Sequence, residues 1–268
     1  MNNAVESKKV GDLLREWRGR RRLSQLDLAL ETEISSKHLS FLETGRARPS
    51  REMILRLAEQ LAIPLRARNV LLTAGGFAAV FPERSLDDES LEAARKIVNL
   101  VLKGHEPNPS LALDRHWNLV SANKAVGFLL SEVDSSLLAP PVNVLRLSLH
   151  PNGLARQIIN YAEWRGHLLE RLRHQIEITA DAESLELFRE LKSFPKPKKF
   201  KSENRAGGFS NSNIAVPIRL DTARGKLSFL SMTTVFGTPV DITLAELIIE
   251  SFFPTDEFTA EVMNEIRG

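Results

Sequence analysis

The sequence predicts a two-domain protein, an all-α domain followed by an α+β domain. Three observations carry that expectation. Up to about residue 74, apolar residues recur at helical spacing between serine caps and glycine or proline stops. Beyond residue 105, short strand-like runs are separated by amphipathic helices. The 268 residues, 43% of them hydrophobic, suffice for two ordinary cores. The boundaries are placed at 1–76 for the helical domain, 77–104 for a linker and connecting helix, and 105–268 for the mixed domain.

Residues 10–20, VGDLLREWRGR, form a first helix with Leu13, Leu14 and Trp17 inward. Ser24 caps a second helix, and Ser24-x-x-Asp27 is close to a capping box. A turn at Thr32–Ile34 leads to Ser35, which caps a third helix over Ser36–Leu42. That helix keeps Leu39 and Leu42 on one face and turns Ser36, Lys37 and Ser40 to the other. Gly45 suits a left-handed C-cap, with Arg46, Arg48 and Pro49 after it. Residues 51–61 form a further helix closed by Pro64. A short helix anchored by apolar residues and presenting small polar and basic ones is what a DNA major groove admits. A plain helical bundle is the rival reading of these elements.

These helices, five by about residue 74, resemble the XRE family of helix-turn-helix domains, the phage repressor and Cro type. The resemblance assigns Gln25 to a DNA contact from the second helix and Ser36, Lys37 and Ser40 to the outward face of the recognition helix. It puts Thr44, Arg46 and Arg48 in a loop that approaches phosphate, and Arg18 and Glu43 at a structural ion pair. Ser36 and Ser40 both donate and accept, so they imply no particular base.

Charge supports a polyanionic partner. The overall net charge is only +2, yet residues 1–75 carry 14 Lys+Arg against 9 Asp+Glu and the remainder 22 against 25. The run Arg18, Arg20, Arg21, Arg22 lies beside the third helix, where phosphate contacts would add salt-dependent affinity. A solvated helical face is the alternative. The chain has no cysteine, hence no disulfide and no thiolate chemistry, which suits a reducing compartment. No apolar run reaches the length of a membrane span, and the start lacks an apolar signal core. The expected location is the cytoplasm, away from any membrane.

From Gly75-Gly76-Phe77 the pattern changes, and FAAVFPERSLDD reads as an ordered linker. Residues 89–103 form a helix that is either a connector packed on its own domain or a dimer seam. LALD (111–114) and WNLVSA (117–122) are strands, and Asn123 begins a helix. VNVLRLSLHP is helical, 154–178 holds a long amphipathic helix, and Asp181 caps another over 181–194. After a loop come strand-like runs at 213–221, 226–236 and 240–253, the last also compatible with a helix. Two strands, helices and then three antiparallel strands is the chain order of a PAS-like fold, an analogy that names no ligand.

Asp114-Arg115-His116-Trp117-Asn118-Leu119-Val120 with Asn123, Asn143-Val144-Leu145-Arg146 running to His150-Pro151, Trp164, and VFGTPVDITLAELIIESFFP (235–254) give the whole chain a resemblance to MmyB-like transcription regulators. The resemblance implies an XRE-type domain joined to a PAS-like domain with an apolar pocket for a fatty-acid-like molecule. A long-chain acid needs an apolar tube and one polar end. Trp117, Phe128, Leu129, Trp164, Leu168, Phe229 and Phe236 are candidates for the tube, against ordinary core. Asn143, Arg146 or His150 would meet a carboxylate; for Arg146 an ion pair orienting its own helix is the competing reading.

Catalysis finds little support. HExxH, GxSxG, P-loop and GxGxxG patterns are absent from the sequence. Glu163, His167, Glu170 and His174 share a helical face, but a solvated stripe explains them better than a metal site. The basic tract 196–201 reads as a solvated loop, with a supplementary anion contact as the alternative. The expectation is therefore a cytoplasmic, homodimeric, non-enzymatic regulator of double-stranded DNA, without metal or cofactor, responding to a small apolar acid. A second domain that only dimerises is the first alternative, and an enzyme the second.

Overall fold

The computed structural model describes residues 8–197 and 215–266. They pack as two compact units, the first reaching Glu83 and including Glu177–Ala180 and Val240–Ile242, the second taking the rest.

The first unit contains α1 (Val10–Arg20), α2 (Gln25–Glu31), α3 (Ser36–Glu43), α4 (Arg51–Gln60) and α5 (Leu65–Ala74). Serines start three of these helices. Ser24 Oγ accepts from the Asp27 amide while Asp27 accepts from the Ser24 amide, a full capping box. Ser35 and Ser50 accept from the amides of His38 and Met53. Each such cap contributes about 1 kcal/mol. Gly45 ends α3 with φ +72°, which a side chain would strain. Gly11 serves packing instead: a Cβ there would stand 2.4 Å from the Leu42 carbonyl oxygen, so α1 crosses the end of α3 at backbone contact. Leu14, Trp17, Leu28, Leu39, Leu42, Ile54, Leu57 and Leu71 fill the core between the helices.

The second unit is built on a five-stranded antiparallel sheet. In chain order its elements are α6 (Glu92–Gly104), β1 (Ser110–Leu113), β2 (Leu119–Ala122), α7 (Lys124–Leu129), α8 (Val144–Leu149), α9 (Tyr161–Thr179), α10 (Ala182–Ser193), β3 (Ile218–Thr222), β4 (Gly225–Val235), α11 (Ile242–Ala245), β5 (Ile248–Pro254) and α12 (Glu257–Ile266), with the last three residues of α9 and the first of α11 counted in the first unit. The strand order is β2-β1-β5-β4-β3, so the last strand lies between the first and the fourth. Ser110 is level with Ser251, and Thr233 with Glu250. Alternation along the strands makes two faces. Leu111, Leu113, Leu227 and Phe229 join the main core, while Ala112 and Ile249 face the other way and pack with Val98 and Leu102 of α6.

Several expected boundaries shift. The helix expected from 154 begins at Tyr161, because Ile158 bridges Leu220 and the Ile159 amide donates to the Arg219 carbonyl. These contacts hold 157–160 as an extension of the sheet edge. The run at 240–253 divides into α11 and β5, so both of its readings are partly correct. The run at 213–221 is a strand from Ile218, residues 213–214 lying outside the described part. The helix opening after Asn123 stops at Leu129. α12 was not anticipated; it buries Thr259, Val262 and Met263.

Candidate functional site

On α3, Leu39 and Leu42 are buried, Ser36 and Lys37 are exposed, and Ser40 is half-buried. Thr44, Arg46 and Arg48 follow, all exposed. Lys37 Nζ and Arg46 Cζ lie 5.7 and 5.8 Å from the centre of the Phe41 ring, within cation–π range. Hydroxyls and basic groups are thus gathered on one short helix and its exit loop. That chemistry suits base edges and phosphates.

Arg18 and Glu43 are paired as the resemblance implied. Arg18 Nε and Nη2 donate to the two Glu43 oxygens at 2.6 and 2.9 Å, and Nη1 donates to the Leu23 carbonyl. The hydrogen bond to Glu43 holds the Arg18 pKa above its ordinary value against the opposing effect of burial. Gln25 Nε2 also donates to Glu43, at 2.8 Å, which ties the start of α2 to α3. The rest of the arginine run divides. Arg21 donates to the carbonyls of Leu61 and Ala62, Arg20 pairs with Glu16 at 2.9 Å, and Arg22 is exposed.

The second unit contains a cavity of about 90 Å³. Trp117, Trp164, Leu168, Phe229 and Leu129 line it, as do Leu111, Leu145 and Leu220. Its position follows from local structure. Trp164, Leu168 and Arg171 fall at i, i+4 and i+7 on one face of α9. Glu250 and Phe252 share one face of β5 by the two-residue alternation.

Trp117 enters the wall through a strained turn. Its φ is +66°, unfavourable for a bulky side chain. Hydrogen bonds on both sides enforce it. Asp114 Oδ1 accepts from the amides of His116 and Asn118, Oδ2 accepts from Asn118 Nδ2, and the Trp117 amide donates to the Asp114 carbonyl. The Trp117 carbonyl then accepts from the Val144 amide, and Asn143 Nδ2 donates to the His116 carbonyl. The Asp114–Asn118 turn therefore fixes the direction of the indole, whose Nε1 donates to Gln175 Oε1 at 2.8 Å.

The polar candidates lie elsewhere. Asn143 caps α8 and accepts from the Arg146 amide. Arg146 forms a two-pronged pair with Glu190 of α10 at 2.8 Å on each prong and is 42% exposed. His150 Nδ1 accepts from the Asn152 amide, and its ring stands edge-on to Phe194. Phe236 packs against the α6 side of the sheet. None of these four is in the cavity wall.

The wall's charge comes from residues that sequence reading did not single out. Arg171 Nη1 and Nη2 donate to Glu250 Oε1 and Oε2 at 2.7 and 3.1 Å. Arg171 Nη2 also donates to Thr233 Oγ1, and the Thr233 hydroxyl donates to Glu250 Oε2 at 2.9 Å. Arg171 Cζ lies 4.9 Å from the Trp117 ring centre. Burial works to raise the Glu250 pKa, but hydrogen bonds from Arg171, Ser231 and Thr233 with the Arg171 charge outweigh it, so the carboxyl titrates below the ordinary range. A carboxylate at an inward register of a strand, and an arginine on the apolar stripe of α9, were the available signals. Ser148 adds a hydroxyl to the wall and accepts from Trp164 Nε1 at 2.9 Å.

The Glu–His face of α9 does not converge on a common point. His167 is half-buried beside Trp164, and burial together with the Arg171 charge lowers its pKa. Glu170 is bound to Arg173. Among the described residues, no group of three or more His, Cys, Asp or Glu side chains is placed to hold a metal ion. No described helix is long and apolar enough to cross a membrane. Lys198, Lys199 and Lys201 of the basic tract lie outside the described residues.

Comparison with protein families matches residues 94–265 to the MmyB-like transcription regulator ligand binding domain and residues 9–71 to a helix-turn-helix domain. No curated protein matches the chain. A solved structure described as an RNA-binding light-oxygen-voltage receptor aligns over 98% of this chain at 14% identity with a TM-score of 0.24, a likeness too loose to argue from. This chain spans 63% of that one. The ligand-binding match covers more than half of the residues, and the capped helices 10–74 and the five-stranded α+β unit are the two folds expected of such a protein. The chain belongs to the MmyB-like transcription regulators, with a helix-turn-helix domain ahead of the ligand-binding domain.

Proposed function

We propose that the protein is a cytoplasmic, sequence-specific regulator of double-stranded DNA whose grip on its operator depends on a long-chain, fatty-acid-like molecule. It binds and does not catalyse. The domains are 1–76 for DNA, 77–104 for connection and 105–268 for sensing. α3 enters the major groove, with Ser36, Lys37 and Ser40 toward base edges. Thr44, Arg46 and Arg48 meet phosphate, and Gln25 approaches from α2. Arg18 acts through Glu43 as a positioning residue. The cavity walled by Trp117, Trp164, Leu168 and Phe229 is the observation that carries the sensing half of this reading.

Two copies act together. Val98 and Leu102 of α6 pack on the sheet, while Leu100 is 68% exposed and Ile97 53% exposed on the same helix. Two exposed apolar residues three apart on the outer side of one helix favour a seam between copies. A two-fold dimer asks for a near-palindromic operator with half-sites about 34 Å apart. A ligand shifts DNA affinity only as far as it prefers one arrangement of the two readers.

Selection from a random duplex pool, followed by anisotropy titration, tests the proposal. The wild-type protein enriches a palindrome, and Lys37→Glu and Ser40→Glu each weaken that preference. Unaltered sequence-specific binding by both variants would place the reading surface on another helix.

A further inference from the structure

The polar end of the cavity is electrically balanced. Among the described residues lining it, the charged ones are Arg171 and Glu250, and they are bound to each other through both prongs of the guanidinium. Glu250 is 5% exposed and is further held by the Thr233 hydroxyl. Arg171 has one face near the Trp117 ring and a second anchor at Thr233. Ser148 adds a hydroxyl to the described lining, and the indole N–H groups of Trp117 and Trp164 are committed to Gln175 and Ser148. A guanidinium already matched by a carboxylate offers directional N–H groups but no surplus positive charge.

Resting on the reading of this cavity as the sensor's ligand site, and narrowing its fatty-acid-like guest by head group, we propose that it selects a long-chain molecule with an uncharged, hydrogen-bonding head, such as an alcohol or amide, over the carboxylate of equal chain length. An ionised acid placed here sets a second anion beside Glu250 where little solvent screens the repulsion. To gain Arg171 it must take the guanidinium from Glu250, leaving a buried carboxylate without its counter-charge. An uncharged head avoids both penalties. It accepts from Arg171 or exchanges a hydrogen bond with Ser148 while the Arg171–Glu250 pair stays closed. Its tail lies along the leucine and tryptophan wall, so chain length and head-group charge are read by different parts of one cavity.

Calorimetric titration of the full-length chain with decan-1-ol, decanamide and decanoate at neutral pH, below their aggregation limits, tests this. Tryptophan fluorescence provides a second readout, since Trp117 and Trp164 are in the wall. The alcohol and the amide are expected to bind at least about tenfold more tightly than decanoate, a gap of about 1.4 kcal/mol. Glu250→Gln frees the guanidinium charge, so decanoate gains about tenfold and decanol changes little. Decanoate binding to the wild type as tightly as decanol overturns the head-group inference alone. Failure of all three to bind or perturb the fluorescence overturns the reading of the cavity as well. Should Glu250→Gln not fold, the wild-type comparison decides.

Discussion

In the helical unit Glu43 is 1% exposed beneath Arg18, and in the sheet unit Glu250 is 5% exposed beneath Arg171. The two pairs share residue types and two-pronged geometry, but their surroundings differ. Arg18 is closed in by the Leu23 carbonyl, and Gln25 adds a third donor to Glu43. Arg171 opens onto an apolar cavity and is 25% exposed. The first pair joins α1 to α3 and so fixes the angle at which α3 is presented. The second leaves space beside it for a guest. A buried ion pair is therefore a strut where its remaining side is closed and, on the reading proposed above, a recognition element where that side is open.

The largest test of this contrast removes each acid in turn. Glu43→Ala leaves a nearly enclosed guanidinium unpaired and should destabilise the helical unit by about 3–5 kcal/mol. Glu250→Ala leaves Arg171 with a route to water and should destabilise the sheet unit less. Urea unfolding of the full chain, followed by tryptophan emission, resolves the two effects, and the reverse order would break the distinction. Filling the cavity with Leu168→Trp sharpens it from the other side. Overpacking of this kind costs about 1–3 kcal/mol, and the variant should lose all thermal stabilisation by decanol while keeping DNA affinity.

Smaller effects follow on the surfaces. Lys37→Glu should weaken operator binding about tenfold, near 1.4 kcal/mol, and reduce the salt slope by about 1 or more. Arg21→Gln should barely change that slope, since Arg21 is engaged by the carbonyls of Leu61 and Ala62. Leu100→Glu should weaken self-association about tenfold in sedimentation equilibrium without altering cavity binding. The smallest expected effect concerns pH. His167 has its pKa lowered from 6.5 by burial and by Arg171. As pH falls below 6.5 the unfolded chain takes up a proton that the folded one resists, so stability declines until the pH reaches the folded value. Thermal melts of His167→Gln should show a shallower decline over that window.

The helical unit was legible because its signals are local. A serine oxygen meets an amide three residues on, and Leu39 and Leu42 lie one turn apart, so the spelling of a dozen residues determines cap, face and stop. Arg18 and Glu43, 25 residues apart, came from the resemblance and not from spacing. In the sheet unit Trp117, Trp164 and Phe229 were found as large apolar groups on expected strands and on a helix stripe, although Trp117 lies in the turn before β2 and not in the strand expected over 117–122. The polar end was not. Arg146 follows the cap of a short helix and reads as an anchor, yet it binds Glu190, 44 residues further on. Arg171 reads as one more charge on a charged helix, and its partner is 79 residues away. The sheet-edge segment 157–160 was hidden likewise, because its helical composition yields to hydrogen bonds with the strand at Arg219 and Asp221.

By itself the chain's spelling determined the two fold classes, the capped helices, the exposed hydroxyl and basic groups of α3 and the large aromatic residues that line the cavity. Those depend on backbone sterics, capping and periodicity, which act between near neighbours. Tertiary structure alone decided which arginine faces the cavity and whether its charge is already answered. That outcome depends on β5 lying between β1 and β4 in a register that sets Glu250 opposite Thr233 and against α9. A charge is neutralised by whatever surface closes over it, and that surface is supplied by distant segments.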